Sequence, residues 1–364
     1  MTNINIIGTI FGSTGYDIHT RELANALYKI DKSVKLSVPL MPDWQRYTND
    51  AEFDMITKLG EDDQINLIIA MPQQWKLHCK PGRNWAYCIW EGDRVPESFI
   101  DDFLNPNIEY IFVASEHTKN AIWTTIGDES KSEDKLMDKI KIMPHGVDTT
   151  KFFKKEVKRS DKFTFISSKG WRGTTWDRGG VQYLLQAFAE EFSKDENVEL
   201  FLKLNPAYIN TANINGVLEQ LNLPKDRPNI KLGNDNILHK NLNEFYNQGD
   251  VFICPTRAEA FNLPGIESMG CGLPTIQTNF GGQTDYVTEK NGWLIDYKLE
   301  DIKEDIMYEE VQWATPDMKH LKKTMRYCFE HQDEVKKKGK QALEDAKKWS
   351  WENTAKKINN LKGG

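Results

Sequence analysis

The sequence predicts an α/β protein made of two doubly wound domains, and three observations carry that expectation. Short apolar runs, roughly four to eight residues each, alternate with helix-like stretches along most of the chain. The alternation breaks in a charged stretch around residues 149–162 and then starts again. A chain of 364 residues also exceeds what one hydrophobic core usually organises, while fitting two domains of roughly 100–200 residues. Two successive β-α series are the pattern of two parallel sheets, each covered by helices on both faces.

In the first series the strand-like runs are Asn5 to Gly8, Val34 to Pro39, Ile65 to Met71, Trp85 to Trp90, Ile108 to Ala114 and Ile140 to Pro144. They are rich in Ile, Val and aromatic residues, as parallel strands buried on both faces are. Asp17 to Lys29 and Ser115 to Ile126 read as helices between them. This domain is expected over 1–150. Thr149 to Lys162, with Lys154-Lys155-Glu156, has no core pattern and reads as the linker. The second series opens with a strand at Phe163 to Ser167 and a helix from about Gly180 to Phe192. Strands follow at Val198 to Leu204, Ile230 to Leu232, Val251 to Pro255, Thr275 to Thr278 and Trp293 to Ile295. That domain is expected over 151–345, leaving 346–364 as a terminal helical segment. Thr315 reads as the N-cap of a helical tail with Pro316 in its first turn, and Ser350 as the N-cap of the last helix, with Glu352 close behind.

Composition narrows the function. Hydrophobic residues make up 39% and charged residues 28%, a globular balance. The 47 Lys and Arg against 54 Asp and Glu leave a net charge of −7, which argues against a nucleic-acid partner. The five cysteines (Cys79, Cys88, Cys254, Cys271 and Cys328) form no C-x-x-C. Neither a disulfide framework nor a cysteine zinc site is expected, and a reducing, cytoplasmic location is. No apolar run approaches the roughly 18 residues of a membrane span, and the first residues read as a strand rather than a leader.

Two glycine-containing turns carry candidate chemistry. The first strand runs into Gly8-Thr9-Ile10-Phe11-Gly12-Ser13-Thr14-Gly15, followed by a helix. This turn reads equally as an anion cradle at a helix N-terminus or as a plain β-to-α connection. It is neither G-x-G-x-x-G nor a Walker A loop. The stronger stretch is Pro255-Thr256-Arg257-Ala258-Glu259-Ala260-Phe261-Asn262-Leu263-Pro264-Gly265-Ile266-Glu267. Pro264 suits a first helical turn, so the amides of Ala260, Phe261, Asn262 and Leu263 lie where a diphosphate is held by dipole and hydrogen bonds. Glu267, a turn into the helix, is placed to accept from ribose hydroxyls. Glu259 sits on the loop toward the sugar end of a nucleotide sugar. Two isolated glutamates of this kind are also what a solvated surface and a favourable helix dipole produce.

The stretch from Glu259 to Glu267, followed by Ser268-Met269-Gly270-Cys271-Gly272-Leu273-Pro274-Thr275, resembles the E-x7-E signature of retaining GT-B glycosyltransferases, family four. Pro144-His145-Gly146-Val147-Asp148 looks like that family's interdomain segment, and Asp177-Arg178-Gly179-Gly180-Val181 is similar to its phosphate-binding turn. Asn279-Phe280-Gly281-Gly282 and Trp349-Ser350-Trp351-Glu352 match as well. The resemblance implies the GT-B fold, two Rossmann-like domains facing a cleft, with a last helix crossing back to the first. It also implies transfer of a sugar from a UDP- or GDP-type nucleotide sugar to a hydroxyl acceptor, with retention. No cofactor or metal ion is implied, since the helix dipole and basic side chains stabilise the leaving diphosphate.

Carried over by position, the resemblance gives Glu259 the donor sugar, Glu267 the ribose and Arg178 the diphosphate. Asn234 falls where the nucleobase loop does, and Gly15 in the glycine turn of the first domain. The family usually has Lys where this chain has Gly179, so a cation is missing there. Arg172, Lys169 and Lys203 are candidates to supply it, each equally readable as a solvated charge. Trp90-Glu91 looks like a subset of the family in which a Glu replaces a His near the sugar, which makes Glu91 a catalytic candidate; a capping or ion-pair role fits it equally. Trp171 and Trp176 read as sugar-stacking or core residues, His145 as structural, and His19 has no assigned role. A GT-B nucleotide-sugar 2-epimerase and a non-catalytic nucleotide-sugar binder share the fold and remain alternatives.

Overall fold

The computed structural model describes residues 3–39, 65–127, 131–171, 174, 177–205, 216, 218–233, 239–302, 308 and 310–363. The chain forms two compact units. The first comprises Met1–Gly146, Ile302–Gln312 and Trp349–Gly364; the second comprises Val147–Asp301 and Trp313–Lys348.

In the first unit, β1 (Ile4–Gly8), β2 (Lys35–Ser37), β3 (Ile65–Ile69), β4 (Arg83–Cys88), β5 (Ile108–Val113) and β6 (Ile140–Ile142) form one parallel sheet. Their order is β2-β1-β3-β4-β5-β6. Every residue of β1 and β3 is buried, which is why those runs show no polar alternation. Helices Gly15–Ile30, Pro72–His78, Glu116–Ile126 and Lys131–Lys139 connect the strands. The helix Trp351–Asn360 packs on Gly15–Ile30 and buries Trp351, Thr354, Ala355 and Ile358, an i, i+3, i+4, i+7 stripe. Thr354 Oγ1 donates to the Pro144 carbonyl at 2.6 Å, and Lys362 pairs with Asp31 at 2.6 Å.

In the second unit, β7 (Phe163–Lys169), β8 (Val198–Leu204), β9 (Ile230–Gly233), β10 (Val251–Cys254), β11 (Thr275–Thr278) and β12 (Gly292–Ile295) form a second parallel sheet. The order is β12-β11-β10-β7-β8-β9, so the direction of winding reverses between β7 and β10. In open sheets of this kind the crevice beyond the strand ends at that reversal is where ligands bind. Phe165, Phe188, Phe192, Leu200, Ile253 and Met325 belong to the core around the sheet. Both sheets and their helices form the α/β, two-domain GT-B architecture.

Three local features differ from the sequence reading. Thr315 and Pro316 lie in a strand, β14 (Gln312–Pro316), which pairs with β13 (Tyr297–Asp301). A residue preceding proline is driven out of the helical region, so Thr315 stays extended. The helix Met318–Glu330 instead starts at Asp317, whose carboxylate accepts from the His320 amide at 2.9 Å. The charged stretch read as a linker is laid along the second unit. Phe152 is buried, and the amides of Phe153 and Lys155 donate to Asn243 and Asn247 side chains. Finally, residues 302–312 return to the first unit, a crossing no motif announced. Among the described residues no helix is long and apolar enough to cross a membrane.

Candidate functional site

The turn after β10 lies at the winding reversal of the second sheet, against the C-terminal end of β7. Lys169, the last residue of β7, is buried with its ammonium 2.6 Å from Glu259 Oε1 and 2.9 Å from Asn262 Oδ1. Burial disfavours charge on both partners, yet each keeps its charge. Cys254 and Glu259 lift the lysine above its ordinary value against that desolvation. Desolvation likewise works to raise the Glu259 carboxyl, but Lys169 and Arg178 hold it below the usual range. The glutamate of the sequence motif is thus an ionised carboxylate fixed by a buried lysine.

The backbone of the turn is held from two sides. Asn262 adopts a left-handed conformation (φ 67°), its amide donates to Gln277 Oε1 at 2.7 Å, and its carbonyl accepts from the Tyr286 hydroxyl at 3.0 Å. The helix Leu263–Gly270 that follows has no side-chain cap at its N-terminus. On the other side the Gly282 amide donates to the Glu259 carbonyl at 2.8 Å. A Cβ at Gly282 would lie 1.9 Å from the Ala260 carbonyl oxygen, so only glycine permits this approach.

Arg178 joins the same turn. Its carbonyl accepts from the Arg257 amide at 2.8 Å and from Thr256 Oγ1 at 3.0 Å, and its guanidinium donates to the Ala258 carbonyl at 3.3 Å. Gly180 opens the next helix with φ 74°, and a Cβ there would lie 2.0 Å from the Pro255 carbonyl. The neighbouring Gly179 has a physical reason as well. A Cβ at that position would come within 2.7 Å of the Gly170 carbonyl, so the lysine expected from the resemblance has no room in this turn.

Glu267 is buried one turn into its helix. The Tyr246 hydroxyl donates to one carboxylate oxygen at 2.9 Å, and His239 Nε2 lies 2.6 Å from the other. Each carboxylate oxygen has a second lone-pair site, so both can still accept from a ligand. Lys203, near the end of β8, is buried. Burial pulls its pKa below the ordinary value, partly opposed by Glu267.

The structure therefore brings together Lys169, Arg178, Glu259 and the residues Ala260, Phe261, Asn262 and Leu263, with Lys203 near Glu267 through their charges. Arg172, Asn234 and Trp176 lie outside the described residues. Trp171 is fully buried, its indole donating to the Thr174 carbonyl at 3.1 Å, and is a core residue rather than a stacking platform. The partners Tyr246, His239, Gln277 and Tyr286 carried no signal in the sequence. Each arrives from a separate element and belongs to no local motif.

In the first unit Gly15 is exposed and a Cβ there meets nothing. The glycine turn around it is occupied by the chain itself. Asp17 accepts from the amides of Gly12 and Thr14, both at 3.1 Å, and Arg21 donates to the Gly12 carbonyl at 2.7 Å. Glu91 follows β4 and accepts from the Tyr308 hydroxyl at 2.8 Å. His19, in the helix Gly15–Ile30, is buried with neither ring nitrogen hydrogen-bonded. Its ring centroid lies 4.3 Å from that of His145 and 4.2 Å from Tyr87. Burial, and secondarily His145, push His19 well below its ordinary pKa, and burial lowers His145 to about 3.

Residues 168–308 match the family model described as glycosyl transferases group 1. A lipopolysaccharide core biosynthesis mannosyltransferase of Rhizobium meliloti is 35% identical over 60 residues, 16% of this chain and 17% of that protein. Sucrose synthase of Solanum tuberosum is 31% identical over 140 residues, 36% of this chain and 16% of that enzyme. The chain thus spans less than a fifth of the length of these curated relatives. Solved structures are similar over the whole chain. A glycosyltransferase from Rickettsia africae superposes with TM-score 0.70 at 15% identity, covering 99% of this chain and 97% of that one. Anabaena HepE in complex with UDP and glucose gives 0.68 at 12% identity, covering 99% of both. A group 1 glycosyl transferase match that takes in the Glu259 turn thus covers residues 168–308, and the GT-B fold extends over the chain's length.

Proposed function

We propose that the protein is a retaining glycosyltransferase that moves a sugar from a UDP- or GDP-linked donor to a hydroxyl acceptor without a metal ion. The observation that supports this most is the turn at the winding reversal. There a lysine-held carboxylate, an arginine and an uncapped helix N-terminus meet within one loop and the strand beside it. The sugar-nucleotide reading is also supported by HepE, solved with UDP-glucose.

In this reading the diphosphate lies against the amides of residues 260–263, with Arg178, Lys203 and Arg172 as its cations. Glu267 accepts from the ribose, Asn234 borders the base, and Glu259 meets the donor sugar. Glu91 accepts from a sugar hydroxyl. As the bond from the anomeric carbon to the diphosphate oxygen breaks, negative charge grows on that oxygen. The preorganised cations and amides favour this charge more in the transition state than in the bound donor. The acceptor oxygen bonds the anomeric carbon from the same face, and its proton passes to the leaving diphosphate.

The test is release of nucleoside diphosphate from a panel of UDP-, GDP- and ADP-sugars in excess EDTA, followed by NMR assignment of the product anomer. Turnover with retention is expected. A strict requirement for Mn²⁺ or Mg²⁺, or an inverted product, overturns the mechanism.

A further inference from the structure

Gln277 is a polar residue at a position where a hydrocarbon would ordinarily pack. It lies in β11, which is flanked by β10 and β12 and buried along its whole length. Side chains alternate along a strand, so Ile276 joins the core of the second unit while Gln277 serves the other face. There its Oε1 accepts from Asn262 Nδ2 at 2.7 Å.

The orientation of this amide pair is forced. The Lys169 ammonium has donors only, so the Asn262 atom that meets it at 2.9 Å is the oxygen. Asn262 therefore turns its Nδ2 to Gln277, and Gln277 must answer with oxygen. The Nε2 of Gln277 faces the first turn of the helix Leu263–Gly270. A Cβ at Gly265 would lie 2.6 Å from that nitrogen and 2.4 Å from the Tyr286 hydroxyl, which donates to the Asn262 carbonyl at 3.0 Å. Asn262 is thus held at its side chain by Lys169 and Gln277 and at its carbonyl by Tyr286. Its φ of 67° is a left-handed conformation that L-residues adopt at a cost. Lys169 also holds Glu259 Oε1 at 2.6 Å, so one run of hydrogen bonds joins the glutamine to that carboxylate.

We propose that Gln277 is a positioning residue for the donor's diphosphate: by fixing Asn262 it sets the direction of the amides of residues 260–263 before a ligand arrives. Amides that already point the right way bind without reorganising, so affinity is gained with no contact between Gln277 and the ligand. This inference rests on the diphosphate lying against this turn, as proposed above.

Gln277→Met and Gln277→Leu keep a side chain of similar size and remove the acceptor. Asn262→Gly takes the left-handed conformation without strain and offers Gln277 no side chain to hold. Arg178→Ala reports independently on whether the diphosphate lies at this turn. The probe is whichever of UDP, GDP and ADP the wild type binds most tightly. It is titrated by calorimetry, whose stoichiometry counts folded sites separately from their affinity. Both glutamine variants are expected to raise Kd about tenfold at unchanged stoichiometry, the worth of one hydrogen bond. In the Asn262→Gly background Gln277→Met should add nothing. A glutamine that only packs the sheet against the helix would give fewer binding sites at wild-type Kd, or the same loss of affinity in both backgrounds. Either result overturns the proposal, as does failure of both glutamine variants to fold. Wild-type Kd for both, with Arg178→Ala impaired, also overturns it and leaves the diphosphate at this turn. If Arg178→Ala and Asn262→Gly both keep the wild-type Kd, or none of the three diphosphates binds, the placement of the diphosphate itself fails and the proposal with it.

Discussion

Both units put a turn and a helix N-terminus at the place where their sheet reverses winding, yet the two turns are finished differently. In the first unit the helix Gly15–Ile30 is closed by a capping box of Thr14 and Asp17. The carboxylate of Asp17 takes the amides an anion would use. In the second unit the helix Leu263–Gly270 has no side-chain cap, and Arg178 and Lys169 stand beside its turn. The first turn supplies its own anion; the second is the one proposed above to hold the donor's diphosphate. A glycine turn before a helix therefore says little about ligands until its cap is known.

The buried charges divide the same way. The first unit keeps His19 and His145 neutral in its interior, and the second keeps Lys169 and Glu259 ionised as a pair. The largest effect expected follows from breaking that pair. Lys169→Met retains the bulk but leaves Glu259 a largely buried carboxylate with Arg178 as its remaining cation, at a cost of about 3–5 kcal/mol. Chemical denaturation should show a lowered midpoint at unchanged slope. A loss below about 1 kcal/mol would mean that Arg178 alone sustains the charge of Glu259.

The next effect is kinetic. Charge on a leaving diphosphate is larger in the transition state than in the bound donor, so removing a cation acts on kcat before KM. Arg178→Ala should lower kcat by about 10²–10³-fold, the range for one preorganised electrostatic donor. Arg178→Lys should restore part of it, since a point charge lacks the guanidinium fork. If Arg178→Ala and Lys203→Ala both keep wild-type kinetics, the diphosphate is not held at this turn.

Acid separates the units. A histidine held neutral by burial gives stability that is complete above its unfolded pKa near 6.5 and is lost as pH falls from there toward its folded value. For His145 that window runs from 6.5 down to about 3, and His19 titrates in the same direction. Each costs about 1.4 kcal/mol per pH unit across its window. Glu259, with its folded pKa depressed, gives stability that persists until pH falls below the ordinary carboxylate range. Between pH 6.5 and 4.5 the first unit should weaken while the Lys169–Glu259 pair still holds. Hydrogen exchange resolved by unit over that range measures it; equal weakening of the two units would remove the histidine cluster as the cause.

How legible each half was follows from how local its information is. The twelve strands of the two main sheets overlap the apolar runs that announced them, because a strand buried on both faces leaves a continuous apolar signature. The Glu259 turn was legible because Glu259, Asn262, Pro264 and Glu267 are sequence neighbours with fixed backbone roles. Lys169 was one cation among several, since its partners lie 90 and 93 residues away. Tyr308 was invisible for the same reason: it meets Glu91 across 217 residues. Thr315 and Pro316 misled because a hydroxyl before a proline also looks like a helix start.

The smallest effect tests the same contrast between a closed and an open helix end. The terminal helix Trp351–Asn360 is capped by Ser350, whose hydroxyl accepts from the Asn353 amide at 3.2 Å. Ten residues are too few to be helical alone, so this helix depends on its cap and on the buried stripe beginning at Trp351. Ser350→Ala removes one cap hydrogen bond and should cost about 1 kcal/mol. In a chain of this length that lowers the thermal midpoint by only about 2 °C. Faster amide exchange should be confined to the first turn of the helix, and nucleotide affinity should not change. The cap of a closed helix end is expected to carry stability alone, in contrast to the uncapped end at Leu263, proposed above to hold the donor. A drop in nucleotide affinity from Ser350→Ala would erase that distinction.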